Sequence, residues 1–135
     1  MDIKILQWNI NGFSNNLHEL QLLIHDNSPD IIALQETHHN TNPIKINGYV
    51  SVVSTSTTGR CSGTAIFFKN NLKHSILNIS NFYVAMIIHF DIKIKIISLY
   101  LNPSEPLPSA ELSSILSCNS PNTIVLGDFN SHSSP

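Results

Sequence analysis

The chain has 135 residues, enough for one domain, and its 41% hydrophobic content can furnish a core. Only 12% of the residues are charged and the net charge is −2, so the basic footprint that holds nucleic acid by bulk electrostatics is absent. The two cysteines, Cys61 and Cys118, stand outside any metal-like spacing, and no apolar run approaches a membrane span.

The first strand is expected at Ile3-Lys4-Ile5-Leu6-Gln7-Trp8, ending at Asn9. It starts almost at Met1, so no signal peptide is expected and the context reads as reducing and intracellular, with no disulfide. Asn9-Ile10-Asn11-Gly12-Phe13 reads as a loop. Asn15 or Asn16 can cap a helix running to about Asp26, with Leu17, Leu20 and Ile24 on one face. Ser28-Pro29-Asp30 ends it, and Ile31-Ile32-Ala33-Leu34-Gln35 is a strand that ends at Glu36. This β-α-β opening implies a parallel pair. Residues 37–48 are polar and irregular. Short strands then follow at about 49–53, 63–69, 74–80, 82–90 and 92–101, with a Ser/Thr loop over 54–59. The last two strands are close enough for a hairpin turning near Asp91. Ile92, Ile94 and Ile96 alternate with Lys93 and Lys95, the pattern of a strand with one wet face. A rigid connection over 103–108, a short helix over about 109–117 and a strand from Thr123 complete the chain. The whole reads as an α/β sandwich with a mixed sheet in one domain, 1–135.

The chemistry collects where strands stop. Thr123-Ile124-Val125-Leu126 runs into Gly127-Asp128-Phe129-Asn130-Ser131, a buried strand that delivers a carboxylate to its C-terminal end, the edge where open α/β sheets bind ligands. Asp128 and Asn130 can anchor a water or a phosphate, or simply build a turn. Glu36, directly after a buried strand, suits either a metal or the cap of the next turn. Asn9 and Asn11 alone read as turn residues. The Tyr100 phenol, at the end of another strand, could donate to a phosphate or sit as an amphipathic residue at a sheet edge. What raises all of them is their joint occurrence at strand ends. Hard divalent cations take oxygen ligands and need only one or two protein carboxylates, an economy that Glu36 and Asp128 fit. His38, His39 and His132 lie near the same rim, where loop histidines are ordinarily just solvated. Arg60 is read as a surface residue.

Taken together, Gln7-Trp8-Asn9-Ile10-Asn11-Gly12, Leu34-Gln35-Glu36-Thr37, Ser98-Leu99-Tyr100-Leu101-Asn102-Pro103 and Gly127-Asp128-Phe129-Asn130-Ser131-His132 resemble, in order and spacing, the endonuclease/exonuclease/phosphatase superfamily, which includes DNase I. With Gly63-Thr64-Ala65-Ile66, the phrasing is most like the endonuclease domain of jockey-type non-LTR retrotransposons. The resemblance implies a DNase I-like four-layer α/β sandwich with mixed, mostly antiparallel sheets, here an N-terminal portion with the C-terminal part missing. It implies Mg²⁺ or Mn²⁺ held by Glu36 with Asn9 beside it, Tyr100 on the scissile phosphate, Asp128 on the attacking water, and Asn130 holding the phosphate and Asp128. Asn11 stands where some relatives carry Asp. It further implies DNA as partner, a reverse transcriptase domain in the same polyprotein, and a nuclear setting for the intact parent. The family continues into a Ser-Asp-His motif that these residues do not include, so the chain alone is expected to be weak or inactive.

Two other readings share the motifs: a phosphatase acting on lipid or nucleotide phosphates, and a non-catalytic remnant or binding fragment. A last expectation concerns the core. Strands 63–69, 82–90 and 92–101 are taken to supply much of one sheet, with Val84, Met86, Ile88, Ile94 and Ile96 on its inner or its helix-facing side. That inner face would wait for strands the chain does not have, which would make it prone to associate.

Overall fold

In a computed structural model, residues 2–39, 43–55, 63–100, 109–116 and 122–128 are described. Their elements are β1 (Ile5–Asn9), α1 (Phe13–Asn27), β2 (Ile31–Gln35), β3 (Tyr49–Val53), β4 (Thr64–Lys69), β5 (Lys73–Ile79), β6 (Tyr83–His89), β7 (Lys93–Tyr100), α2 (Ser109–Leu116) and β8 (Thr123–Asp128). They form two sheets, ordered β1-β2-β4-β3 and β5-β6-β7-β8. Each sheet has one parallel pair, β1 with β2 and β7 with β8; the remaining pairs are antiparallel. The mixed, mostly antiparallel character thus holds, and every expected strand and helix forms.

The distribution of strands between sheets departs from expectation. β4 pairs with β2 and β3, in the first sheet, while β6 and β7 belong to the second. The chain crosses between sheets over Asn70–Leu72, a turn whose residues carry no signal of which sheet follows. As a result the inner face is closed within the chain. Ile31, Val52, Ile66 and Phe68 of the first sheet pack on Val84, Met86, Ile88, Ile94 and Ile96 of the second. All five of those second-sheet residues therefore face the other sheet, and the wet inner face expected from the sequence does not arise.

The outer faces are covered by helices. Leu20 of α1, with Leu17 and Ile24 beside it, closes over Ile32, Leu34 and Phe67 of the first sheet. Ile115 of α2 packs on Tyr83, Ala85, Ile97 and Leu99 of the second. The layers run helix, sheet, sheet, helix. Lys95, expected on a wet face, is instead fully buried under α2, where its ammonium donates to the Ile115 carbonyl in the helix's last turn. The covering helix turns a solvent position into a cap for orphan carbonyls.

The start of α1 also differs. Its N-cap is Gly12, with φ 103°, and no side chain caps it. Asn16 lies inside the helix with non-helical φ −118° and donates back to the Ile10 carbonyl at 2.8 Å. The first N–H groups find tertiary acceptors: Gly12 donates to Glu36 O at 2.8 Å and Phe13 to Thr37 O at 2.9 Å. A helix whose orphan donors are met from a neighbouring loop needs no side-chain cap, so it begins earlier than the Asn15-Asn16 signal suggested.

At the opposite end of the first sheet, the Tyr49 hydroxyl donates to the Pro29 carbonyl at 2.5 Å. Burial, and then the nearby Asp30 carboxylate, raise the Tyr49 pKa above its ordinary 10.0. The native state therefore holds this proton more tightly than the unfolded chain, so the contribution is complete below the ordinary phenol value and declines as pH rises past it. Alkaline titration of stability should show loss beginning near that value, and Tyr49→Phe should flatten it. An unchanged alkaline limb in Tyr49→Phe would rule this group out.

Candidate active site

Asn9 ends β1 and Glu36 follows β2, and the parallel register of these strands sets Asn9 opposite Gln35. The Asn9 amide Nδ2 donates to Glu36 Oε2 at 2.5 Å. The second sheet repeats the pattern: β7 and β8 run parallel, with Tyr100 opposite Asp128 in the register. Tyr100 is buried, and its backbone N–H donates to Phe82 O at 2.9 Å. For Asp128 the structure describes the backbone position only, and Asn130 and His132 lie outside the described residues, as do Arg60, Cys61 and Cys118. Asn11 is exposed at the same rim with φ 49°.

A polar chain that sequence reasoning missed, buried beyond its first member Gln7, brings the two rims to one end of the sandwich. Gln7 Nε2 donates to Gln35 Oε1 at 2.7 Å, and Gln35 Nε2 donates to Ser98 Oγ at 3.2 Å. Ser98 and Thr64 hydroxyls lie 2.5 Å apart, and Thr64 Oγ1 donates to Leu34 O at 2.9 Å. The Thr64 proton is thereby used, so Ser98 is the donor to Thr64 and the four side chains form a one-way relay. Gln35, Ser98 and Thr64 are fully buried. The relay ties the residue before Glu36 to the residue two before Tyr100, across the gap between sheets. Its sequence signal was a Gln and a Ser inside otherwise apolar strands.

The loop after β2 has an unusual backbone. Glu36 and His38 both have positive φ, 52° and 53°, a region that costs ordinary residues about 1–2 kcal/mol. Hydrogen bonds hold it there: the two from Gly12 and Phe13, and Thr37 N–H to Gly63 O at 3.2 Å. His39, expected as a solvated loop residue, is buried. Its Nε2 donates to the Ser54 carbonyl at 3.1 Å and its Nδ1 lies 2.6 Å from Thr37 Oγ1. His38 sits beside the carboxylate, with Nε2 4.0 Å from Glu36 Oε1.

Among the described residues no three His, Cys, Asp or Glu side chains gather as a preformed metal cage. The donor set nevertheless fits a hard divalent cation, which asks for one or two carboxylates and keeps its own waters. The Glu36 side chain is 17% exposed, one oxygen steadied by Asn9. No helix among the described residues is long and apolar enough to cross a membrane.

Two face-packed mixed sheets between helices, with parallel strand ends carrying an Asn–Glu pair and a Tyr–Asp rung, define a DNase I-like α/β sandwich. Residues 6–135 match the Endonuclease/Exonuclease/phosphatase family, and the chain belongs to it. Among curated proteins, it is 32% identical over 77 residues to the probable RNA-directed DNA polymerase from transposon X-element of Drosophila melanogaster, covering 55% of this chain and 8% of that protein. Among solved structures, the endonuclease domain of TRAS1, a telomere-specific non-LTR retrotransposon, superposes with TM-score 0.75 at 20% identity, over 94% of this chain and 58% of that one. A 3' phosphatase from Neisseria, solved with a product DNA hairpin, gives TM-score 0.71 at 21% identity, over 96% and 58%. An AP endonuclease from Archaeoglobus fulgidus gives 0.70 at 21%, over 94% and 57%. The chain thus spans less than two thirds of each of these structures and a small part of the transposon protein.

Proposed function

We propose that this chain is the metal-side part of a Mg²⁺-dependent (or Mn²⁺-dependent) phosphodiesterase site which, in a longer parent protein, nicks DNA as the endonuclease of a non-LTR retrotransposon. The observation that carries the reading is the Asn9–Glu36 pair, joined at 2.5 Å at the end of a parallel strand pair. Family membership and the transposon relative support it. In this reading Glu36 holds the ion, and the Asn9 amide orients the carboxylate without adding charge. When bound, such an ion polarises a phosphoryl oxygen and stabilises the leaving oxygen. Tyr100 contacts the scissile phosphate, donating a hydrogen bond to it through its phenol. Asp128 orients the attacking water and takes its proton, while Asn130 holds the phosphate and Asp128 in register. DNA is the partner, a reverse transcriptase the accompanying domain, and the nucleus the site of action of the parent.

The test is plasmid nicking with Mg²⁺ and with chelator. The 135-residue chain by itself is expected to nick poorly or not at all, because the facing His of the family's Ser-Asp-His motif is not among these residues, and losing one member of a catalytic unit costs orders of magnitude. In a longer parent, Glu36→Ala and Asp128→Ala should each lower the rate by a similar factor. Robust Mg²⁺-dependent nicking by the 135-residue chain would overturn its expected weakness. Nicking that survives Glu36→Ala would overturn the site itself.

A further inference from the structure

We infer that Ser98 is a positioning residue, whose hydroxyl sets where the Tyr100–Asp128 rung stands relative to Glu36. This rests on the reading of Glu36, Tyr100 and Asp128 as one site and goes beyond it. That site is divided between the two sheets. Glu36 follows β2 and is tied to its own side of the sandwich, by the Asn9 amide at 2.5 Å and by the Gly12 N–H on its carbonyl. Tyr100 and Asp128 end β7 and β8 of the other sheet. The inner layer between the sheets is apolar, with Ile31 and Ile66 on one side and Ile94 and Ile96 on the other. Apolar contact is non-directional. It holds the sheets together without fixing how far one is displaced along the other.

Ser98 puts directional bonds into that layer at the end where the site lies. It stands two residues beyond Ile96, on the same face of β7, and is fully buried. Gln35 and Thr64 are register partners on adjacent strands of the first sheet. The Ser98 hydroxyl accepts from Gln35 Nε2 at 3.2 Å and donates to Thr64 Oγ1 at 2.5 Å. Hydrogen bonds weaken steeply with distance and angle, so a hydroxyl seated on side chains from two strands is held both along and across them. The site residues lie next to this seat on either side. Gln35 immediately precedes Glu36. On the other sheet, β8 runs in parallel register with β7, Gly127 opposite Leu99 and Asp128 opposite Tyr100. The two strands lie so close that a Cβ added at Gly127 would run into the Leu99 carbonyl oxygen. β7 and β8 therefore move as one, and fixing Ser98 against Gln35 fixes the rung against Glu36. A misplacement of roughly 1 Å in such a constellation can cost about 10²-fold in rate.

The experiment is NMR on the purified 135-residue chain and on its Ser98→Ala, Gln35→Leu, Gln7→Ala and Glu36→Gln variants, with circular dichroism to confirm each fold. Residual dipolar couplings of the backbone N–H groups report how one sheet is oriented against the other. Sub-stoichiometric Mn²⁺ reports separation from Glu36 by broadening nearby amide signals. In Ser98→Ala and Gln35→Leu, the couplings of β7 and β8 should shift out of the frame set by β1 and β2. The Mn²⁺ broadening at Tyr100 and Asp128 should shift relative to that at Asn9, which shares a sheet edge with Glu36. Gln7→Ala cuts the outer link of the relay and leaves the Ser98 seat intact, so both readings should stay as in the unaltered chain. A bond that merely stabilised the fold would lower the melting temperature and move neither reading. Couplings and relative broadening unchanged in both Ser98→Ala and Gln35→Leu would overturn the positioning role and leave Glu36 as the metal residue. Broadening that survives Glu36→Gln would overturn Glu36 as the metal residue, while the couplings would still decide whether Ser98 fixes the two sheets.

Discussion

Phe67→Ala should destabilise the chain by about 3–5 kcal/mol, a large part of the roughly 5–15 kcal/mol that holds a typical domain folded. Phe67 is fully buried on the helix-facing side of the first sheet. Its ring stacks on Phe13, with centroids 6.0 Å apart and planes 11° from parallel. The cavity would open under the first turn of α1, beside Ile10 and Leu34. The Phe13 N–H that donates to Thr37 O sits directly above it. Local opening should therefore reach the loop that carries Glu36. Urea unfolding should show a lower midpoint with an unchanged slope, and hydrogen exchange should show faster exchange at Gly12 and Phe13 than the global loss alone produces. Phe67→Leu should recover much of the stability. A loss below about 1 kcal/mol in Phe67→Ala would mean that this face carries far less of the packing than its burial implies.

Gly63→Ala should be the second most damaging change, at about 3 kcal/mol, combining backbone strain and overpacking that each run to about 1–3 kcal/mol. Gly63 has φ +104°, and an added Cβ would sit 2.4 Å from Thr37 Oγ1 and 2.8 Å from His39 Nδ1. Those two atoms are bonded to each other at 2.6 Å, and His39 is pinned to Ser54, so neither has room to yield. The melting temperature should fall by roughly 10 °C, and the Glu36 loop should loosen with it, because the displaced residues hold that loop. Gly48→Ala is the internal control. Gly48 has φ +88° with nothing within 4 Å of an added Cβ, so it reports backbone strain without the clash. Equal losses in the two variants would show that the contact with Thr37 and His39 contributes nothing.

Much of the molecule was legible residue by residue. β2 and β3 fall at Ile31–Gln35 and Tyr49–Val53 as read, and the others shift by a residue or two, because alternation and apolar runs are local signals. The strand ends that set Asn9 and Glu36 side by side were legible for the same reason: a parallel β-α-β unit puts both carboxyl ends on one edge. Each failure involved a partner distant in sequence. Lys95 read as wet because its own strand alternates; only the packing of α2 over β7 buries it. Asn15 and Asn16 carry a cap signal, yet the loop after β2 meets the first helical donors and moves the start to Phe13.

The sequence by itself determined which segments are strands and helices, which faces are apolar, and which polar residues stand at strand ends, since each is a matter of spacing along the chain. Tertiary structure alone decided that β4 joins the first sheet rather than the second, and so closed the inner face that the sequence left without a cover. It also decided the Gln7–Gln35–Ser98–Thr64 relay and the left-handed loop that turns His38 toward Glu36. A one-dimensional pattern records whether a side chain faces in or out. Which other side chain it meets there depends on the register between strands far apart in the chain, and that register is set when the two sheets pack.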